Sequence, residues 1–235
     1  MFDFIRKPEI WKALDAGLLK DNPHKLSFQL KTMQDLFVLQ ELSGTTGKVI
    51  GEIGGGASRV LPQFSRSNSC YNIEPFQGAD NGPKSEVVLP GVTNIRTEIG
   101  KSNGQIADAT FDILFSISVV EHVPDTEFQA FFDDCVRVLK PGGVMYHAVD
   151  MYISGNPTAF WRDRFEMYRN AISKRPDVTP VGDVFAGGLV FTPDIASNPD
   201  NIMHGWKTIS PALDELRQHA QSVSLKIAAR KTLAT

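Results

Sequence analysis

The chain has 235 residues, of which 42% are hydrophobic and 22% charged, so it is long enough to bury one sizeable core. Its net charge of −3 gives no bulk attraction to nucleic acid or to an anionic membrane, and no apolar stretch reaches the roughly 20 residues of a membrane helix. Two widely separated cysteines, Cys70 and Cys135, and an N-terminus without a cleavage signature lead us to expect a cytoplasmic protein in a reducing compartment.

The first 45 residues are predicted to form a helical lead-in. Apolar residues at helical spacing, followed by Ser43-Gly44, indicate a helix from Ser27 to Leu42. We expect this helix to pack against the core; a role as a lid is the alternative. An earlier segment shows the same apolar spacing at Trp11, Leu14, Leu18 and Leu19.

Residues 46–150 alternate between short apolar runs and amphipathic stretches. The predicted strands are 48–53, 69–73, 94–98, 111–116 and 144–149. The predicted helices are 58–66, which Pro62 is expected to shorten or kink, and 125–139, which Asp125 is expected to cap. Alternation of this kind predicts an α/β fold with a doubly wound, mostly parallel sheet and right-handed crossovers.

Three successive glycines, Gly54, Gly55 and Gly56, follow the first strand of this core, and Glu52 precedes them. A strand, a tight turn and a helix start in this order are typical of a nucleotide-type site. Glycine permits the turn and lets the backbone approach a ligand closely. The unpaired N–H groups of a helix start favour an anionic group such as a carboxylate.

Glu74 ends the second strand, about 20 positions after Gly54, where a carboxylate accepts hydrogen bonds from both hydroxyls of an adenosine ribose. A dinucleotide motif needs a glycine where this chain has Arg59, and no P-loop sequence is present, so neither NAD nor a nucleoside triphosphate is favoured. Glu52 would repel a pyrophosphate but suits a ligand with ammonium and sulfonium charges. S-adenosylmethionine has that pattern.

These motifs resemble the class I S-adenosylmethionine-dependent methyltransferases over roughly residues 46–150. Glu52 to Gly56 is similar to the first motif of the family, and Glu74 to its ribose-binding acid. The segments 111–124 and 138–143 resemble the fourth strand with its turn and the lead into strand five. Ser58 replaces the usual third glycine. The resemblance implies S-adenosylmethionine as cofactor, bound by Glu52, Gly54, Gly55, Gly56, Glu74, Glu98 and Ser116.

The family resemblance also implies in-line attack on the sulfonium methyl, so a hydroxyl acceptor would benefit from a base. We predict that His147 and Asp150, three residues further along strand five, form a catalytic pair in which one is the base and the other its orienting partner. The alternative is a hydrogen-bonded core histidine and a loop cap. His122, in the family-like Glu-His-Val turn, is a second candidate that in many such turns only shapes the cofactor pocket.

Beyond Asp150 the alternation breaks off, and residues 151–207 are expected to form an insertion over the carboxyl edge of the sheet. Its helix at 160–169 combines aromatic residues and arginines, which indicates either an acceptor pocket or an amphipathic packing helix. A helix at 210–220 and a strand at 223–229 are expected to follow. How the sheet ends is left open: a strand from about 184–192 or a truncated sheet are the alternatives.

The sequence therefore predicts one methyltransferase domain over residues 1–235, with the C-terminal helix and strand in 208–235. The expected reaction is O-methylation of a small-molecule or sugar hydroxyl. We expect no nucleic acid, membrane or metal partner, and a homo-oligomer is left open. The alternatives are an N-methyltransferase, a catalytically silent cofactor-binding relative, a nucleic-acid or protein methyltransferase, and a nicotinamide-dependent oxidoreductase.

Overall fold

The computed structural model describes residues 1–5, 9, 12–13, 15–18, 30–78, 82–101, 104–154, 159–187 and 220–233. Within them the chain forms an eight-stranded sheet in the order β1-β8-β6-β5-β2-β3-β4, with β7 paired to β8. The strands are β1 (Phe2–Phe4), β2 (Val49–Ile53), β3 (Ser69–Ile73), β4 (Val92–Ile95), β5 (Phe111–Ile117), β6 (Leu139–Ser154), β7 (Val178–Pro180) and β8 (Ala220–Lys231).

The five strands from β2 to β6 are mutually parallel, whereas β8 runs antiparallel to β6, β1 and β7. Parallel strands covered on both faces are nearly continuous apolar runs, as in β5. The prediction of a doubly wound, mostly parallel α/β sheet is thus confirmed.

Helices cover both faces of the sheet. They are α1 (Leu30–Leu42), α2 (Leu61–Phe64), α3 (Phe128–Val138) and α4 (Ala159–Ser173). Two apolar cores result: α1 and α2 close one, and α3 and α4 close the other. Helix α1 lies where the sequence predicted a packing helix, although residues 27–29 fall outside the described part of the chain. None of the helices in that part is long and apolar enough to cross a membrane.

The N-terminal segment is not wholly helical, contrary to the prediction for residues 1–45. Residues Phe2–Phe4 form an edge strand that pairs with β8 through the register Phe2 to Ile227. The side chain of Phe2 is fully buried and packs against Phe165 of α4, which explains why an aromatic pair at the terminus joins the sheet. Of the four apolar residues predicted to form an early helix, only Leu18 is described.

Strands β8 and β1 complete the sheet beyond β6. Strand β8 supplies the antiparallel strand, and β1 takes the edge position beyond it. The alternative strand from about 184–192 reduces, in its described residues, to a single bridge between Phe2 and Val184. The predicted helix at 210–220 lies outside the described residues except for Ala220, which belongs to β8.

Two predicted helices are shorter than expected. Helix α2 has four residues and begins at Leu61, because Pro62 fits only the first turn of a helix and Ser58 Oγ accepts the N–H groups of Val60 and Leu61 ahead of it. Helix α3 begins at Phe128, and Asp125 does not cap it. Instead Asp125 accepts a hydrogen bond from Arg164.

Candidate functional site

The glycine turn follows directly from the end of β2, and its backbone is held from both sides. Gly54 N–H donates to Ile73 O at 2.8 Å, and Asn72 Nδ2 donates to Gly56 O at 3.1 Å. Gly54 has φ +64°, and a Cβ there would lie 2.6 Å from Val119 Cγ2. The turn therefore requires glycine for its conformation and for the approach of the loop after β5.

Glu52 lies beneath this turn with its carboxyl buried. Its Oε2 atom has no hydrogen-bond partner among the described residues, and a Cβ on Gly55 would come within 2.8 Å of its carboxyl carbon. Burial raises the pKa of Glu52 to about 8, against the opposing effect of a hydrogen bond from Ser58. A buried carboxyl oxygen without a donor is suited to bind an ammonium group.

Glu74 ends β3 at the mouth of a cavity of about 440 Å³ that also reaches Ile99 and Phe131. Its Oε1 atom accepts the N–H of Phe76 at 3.3 Å. Burial raises the pKa of Glu74, while hydrogen bonds from the backbone of Phe76 and Gly56 act in the opposite direction. The carboxylate stands between the glycine turn and an apolar recess, as a ribose-binding acid requires.

A second cavity, also of about 440 Å³, lies on the other side of the turn and is lined by charged side chains. Lys31 and Asp35 of helix α1 face Glu52 and Arg59 across it. Arg59 donates to both carboxylate oxygens of Asp35, at 2.6 and 2.8 Å. Arg59, the residue that breaks the dinucleotide motif, is thus paired with α1. This pair brings a helix from outside the motif region to the site.

The two cavities meet at Gly54 and Ser118, which line both. The donor set fits S-adenosylmethionine: an apolar recess with Glu74 for adenosine, and the glycine turn with the unpartnered Glu52 for the amino-acid end. Because α2 is only one turn long and begins at Leu61, the predicted helix start contributes nothing at the glycine turn. The cations Lys31 and Arg59 of the second cavity lie beside the turn instead.

The predicted pairing of His147 with Asp150 is wrong. Residues three apart on a strand face opposite sides of the sheet. His147 Nδ1 lies 2.8 Å from Ser116 Oγ, and the ring packs against Phe131 and Phe132 of α3 with no exposed surface. Burial lowers the pKa of His147 to about 3, so it is a weak base near neutral pH. The alternative reading, a hydrogen-bonded core histidine, describes the structure.

Ser116, predicted to contact the cofactor, is equally buried and lines neither cavity. The residue in that place is Ser118, which the sequence analysis missed. Its backbone has φ +54°, an uncommon conformation for serine that turns the chain out of β5. The signal was available, because Ser118 stands just past the last apolar residue of the strand, where ligand-facing residues of parallel sheets gather.

The other predicted residues lie on the rim of the first cavity. Glu98 lines it and faces Lys101 at 4.0 Å, with 41% of its side chain exposed. His122 lines the same cavity from a 3-10 turn, Val120–His122, that follows β5. His122 thus faces the same cavity as Glu74 and Glu98.

Helix α4 does not form an aromatic acceptor pocket in the described structure. Phe165 and Tyr168 are buried in the core, where they pack against Phe4 and Phe128. The arginines are not all in solvent either. Arg164 is buried and donates to the carbonyl oxygens of Val120, Glu121 and Val123, to Asp125 and to the hydroxyl of Tyr168. It therefore holds the turn that carries His122.

No group of three or more histidine, cysteine or acidic side chains in the described ranges has the arrangement of a metal site.

A family model described as a methyltransferase domain matches residues 51–147 of this chain. Among curated proteins, the ubiquinone biosynthesis O-methyltransferase of Maricaulis maris is 27% identical over 132 residues, which are 54% of this chain and 50% of that protein. The protein of the same name from Rhizobium rhizogenes is 50% identical over 46 residues, 19% of this chain and 18% of that protein. The matches thus span half the length of these relatives or less.

Among solved structures, the N-methyltransferase NodS of Bradyrhizobium japonicum, crystallised with S-adenosyl-L-homocysteine, superimposes with a TM-score of 0.52. It is 16% identical, and the alignment covers 95% of this chain and 98% of that chain. At this identity the likeness establishes the fold. The relatives include both O- and N-methyltransferases, so they leave the methyl acceptor open.

Proposed function

We propose that this chain, whose residues 51–147 belong to the class I S-adenosylmethionine-dependent methyltransferases, methylates the hydroxyl of a small molecule. The observation that carries the cofactor assignment is the buried Glu52 beside a glycine turn in which a Cβ on Gly54 or Gly55 would collide with neighbouring side chains. An ammonium group supplies the donor that Glu52 Oε2 lacks. Glu74, at the mouth of the neighbouring cavity, supplies acceptors for the ribose hydroxyls.

When bound, S-adenosylmethionine supplies an electrophilic sulfonium methyl. The chain's own contribution is positional, because holding the acceptor in line at near-attack distance accounts for most of the acceleration in such a transfer. The junction of the two cavities at Gly54 and Ser118 is where the reacting groups are expected to meet.

Support for a hydroxyl acceptor comes from the curated relatives named above, which are O-methyltransferases by name. The net charge of −3 provides no general attraction for a polyanion and so favours a small molecule over nucleic acid. The N-methyltransferase among the structural neighbours keeps N-methylation as the main alternative.

The proposal is tested with radiolabelled S-adenosylmethionine and a panel of phenols, catechols, sugars and amines, together with thermal unfolding in the presence of S-adenosylhomocysteine. We expect the thioether to raise the melting temperature and the label to appear on a hydroxyl compound. Label on amines alone would make the chain an N-methyltransferase. Thioether binding without transfer to any acceptor would identify a catalytically silent relative, and stabilisation by NADH in place of the thioether would overturn the cofactor assignment.

A further inference from the structure

A second polar cluster lies where β5, β6 and α1 meet, beside the junction of the two cavities. Asp150 Oδ1 accepts a hydrogen bond from Gln34 Nε2 and lies 2.9 Å from Ser118 Oγ. Ser118 Oγ is also 2.9 Å from Gln34 Oε1, and Gln34 Nε2 lies 3.1 Å from Ser224 Oγ. We call Gln34, Ser118, Asp150 and the adjacent Glu121 the Asp150 cluster.

The cluster is built to hold Asp150 in one orientation. Gln34 is fully buried, on a helix whose other buried residues are mostly apolar. Its side chain hydrogen-bonds to Asp150 of β6, to Ser118 just after β5 and to Ser224 of β8. Asp150 itself is only partly buried. A carboxylate that accepts from two neutral donors has further lone pairs with which to accept a hydrogen bond from a ligand.

Ser118 connects this carboxylate to the ligand space. It lines both cavities, and its hydroxyl proton is shared between two acceptors, Asp150 Oδ1 and Gln34 Oε1. Its left-handed backbone is fastened by Ser118 N–H donating to Ala148 O at 2.9 Å. Asp150 therefore lies one hydrogen bond from the junction at which cofactor and acceptor are expected to meet.

Glu121 provides an independent observation that a donor belongs here. Both of its carboxyl oxygens are buried, and neither has a hydrogen-bond partner among the described residues. Burial and the charge of Asp150 raise the pKa of Glu121 to about 8, whereas the backbone of Glu121 and Asp150 and the charge of Lys31 of α1 oppose the shift. Tyr168 of α4 is the further titratable group that Glu121 acts on.

We propose that Asp150, with Glu121 behind it, receives the proton of the acceptor's hydroxyl during methyl transfer. This rests on the proposed function and deepens it, because it assigns the acceptor side of the site and the chemical class that fits there: a small, neutral molecule with an acidic hydroxyl. The acceptor O–H would donate to Asp150, the partly exposed carboxylate of this cluster.

The proton balance is simple. The acceptor oxygen forms a bond to the methyl carbon, the carbon–sulfur bond breaks with its electron pair passing to sulfur, and the hydroxyl proton passes to the Asp150 carboxylate. The oxygen becomes strongly acidic as the new bond forms, so a carboxylate is a sufficient base. His147, the other member of the predicted pair, faces the opposite side of the sheet and bonds Ser116.

Catechol is a suitable probe because it is small, neutral and carries two weakly acidic hydroxyls. Its affinity for the complex with S-adenosylhomocysteine is measured by NMR for the wild type, Asp150→Asn and Glu121→Gln. The control is Asp108→Asn, the same change at a carboxyl that is 78% exposed and pairs with Arg137. Thioether affinity and melting temperature, measured for each variant, show that it is folded and binds the cofactor product.

We expect Asp150→Asn to weaken catechol binding at least fivefold and to slow methyl transfer to catechol at least 100-fold, with thioether affinity within twofold of the wild type. Glu121→Gln is a positioning variant and should shift the pH dependence of transfer with little change in KM. Asp108→Asn should match the wild type in every measurement.

Three outcomes would overturn the assignment of Asp150: wild-type catechol binding and transfer in Asp150→Asn, absence of catechol binding to the wild-type complex, or stronger binding of ethylammonium than of catechol. Failure of the proposed function is distinguishable. If no compound is methylated but catechol binding still depends on Asp150, the acceptor site stands and only the activity assignment fails.

Discussion

The cofactor side and the acceptor side of this sheet edge are assembled in different ways. Glu52 and the three glycines are contiguous in the chain, and Glu74 ends the neighbouring strand. The Asp150 cluster instead joins side chains 32, 84 and 116 positions apart in sequence. The first kind of site is encoded by a local motif, whereas the second exists only once α1 has docked on the sheet.

The cofactor side should fail most completely when the glycine turn is blocked. In Gly54→Ala the new Cβ would lie 2.6 Å from Val119 Cγ2, in a backbone conformation with φ +64°. We expect affinity for S-adenosylhomocysteine to fall at least about 1,000-fold, which corresponds to roughly 4 kcal/mol, as measured by calorimetry.

Gly44→Ala is the matched control, because Gly44 has φ +73° and no atom within 4 Å of the new Cβ. It carries the backbone strain of about 1–2 kcal/mol without the collision. Its melting temperature should fall while thioether affinity stays at the wild-type value. Equal losses of affinity in the two variants would mean that general destabilisation, and not the blocked turn, is responsible.

The turn Val120–His122 carries both His122 of the first cavity and Glu121 of the Asp150 cluster, and it depends on Arg164. Its buried guanidinium donates to three backbone carbonyls around Val120–His122, so Arg164→Met leaves those carbonyls without donors. We expect the free energy of unfolding to fall by about 2–4 kcal/mol. Arg169→Met removes a pair with Glu166, whose side chain is 44% exposed, and should change it by under about 1 kcal/mol. Urea unfolding of both variants measures the difference; similar values would show that Arg164 does not support the turn.

Glu74 and Glu98 both line the cavity that we propose holds adenosine, but only Glu74 is buried. Glu74→Gln removes the charge from two hydrogen bonds to ribose, and we expect about 10- to 100-fold weaker thioether binding. Glu98→Gln should stay within about threefold, because a half-exposed carboxylate is well solvated. Calorimetry on both variants ranks the two acids, and a Glu98→Gln loss as large as that of Glu74→Gln would contradict the ribose assignment.

A variant of His147 tests whether this buried histidine has a structural role or a chemical one. His147→Phe keeps a ring against Phe131 and Phe132 but leaves the Ser116 hydroxyl without its partner. We expect a loss of about 1–2 kcal/mol in unfolding free energy, largely restored when Ser116→Ala is added, and unchanged thioether affinity. If His147→Phe instead slows methyl transfer without lowering stability, the buried histidine takes part in the chemistry after all.

The sequence was most informative where structure is local. Strand β3 was predicted at its observed bounds, and the glycine turn was recognised because consecutive glycines after an apolar run have few other uses. Strand β1 and the Asp35–Arg59 pair were missed, because their partners lie far away in the chain and no local pattern encodes them. His147 was misplaced because period-two alternation was not applied to the pair three residues apart.

A pH-dependent effect follows from the charge state of Glu52. Its pKa is raised from 4.5 to about 8 in the folded protein, so the stability it contributes is fully present below pH 4.5 and is lost as the pH rises through 8. Glu52→Gln removes this dependence. The melting temperature of the variant relative to the wild type should therefore increase from pH 5 to pH 8.

Saturating S-adenosylhomocysteine should reverse that order, because its ammonium group stabilises the ionised carboxylate of the wild type and finds no charge in Glu52→Gln. Thermal unfolding at pH 5, 6.5 and 8, with and without the thioether, gives both comparisons. If, at pH 8, the thioether raises the melting temperature of Glu52→Gln as much as that of the wild type, the ammonium group lies elsewhere. Glu74 alone would then orient the cofactor.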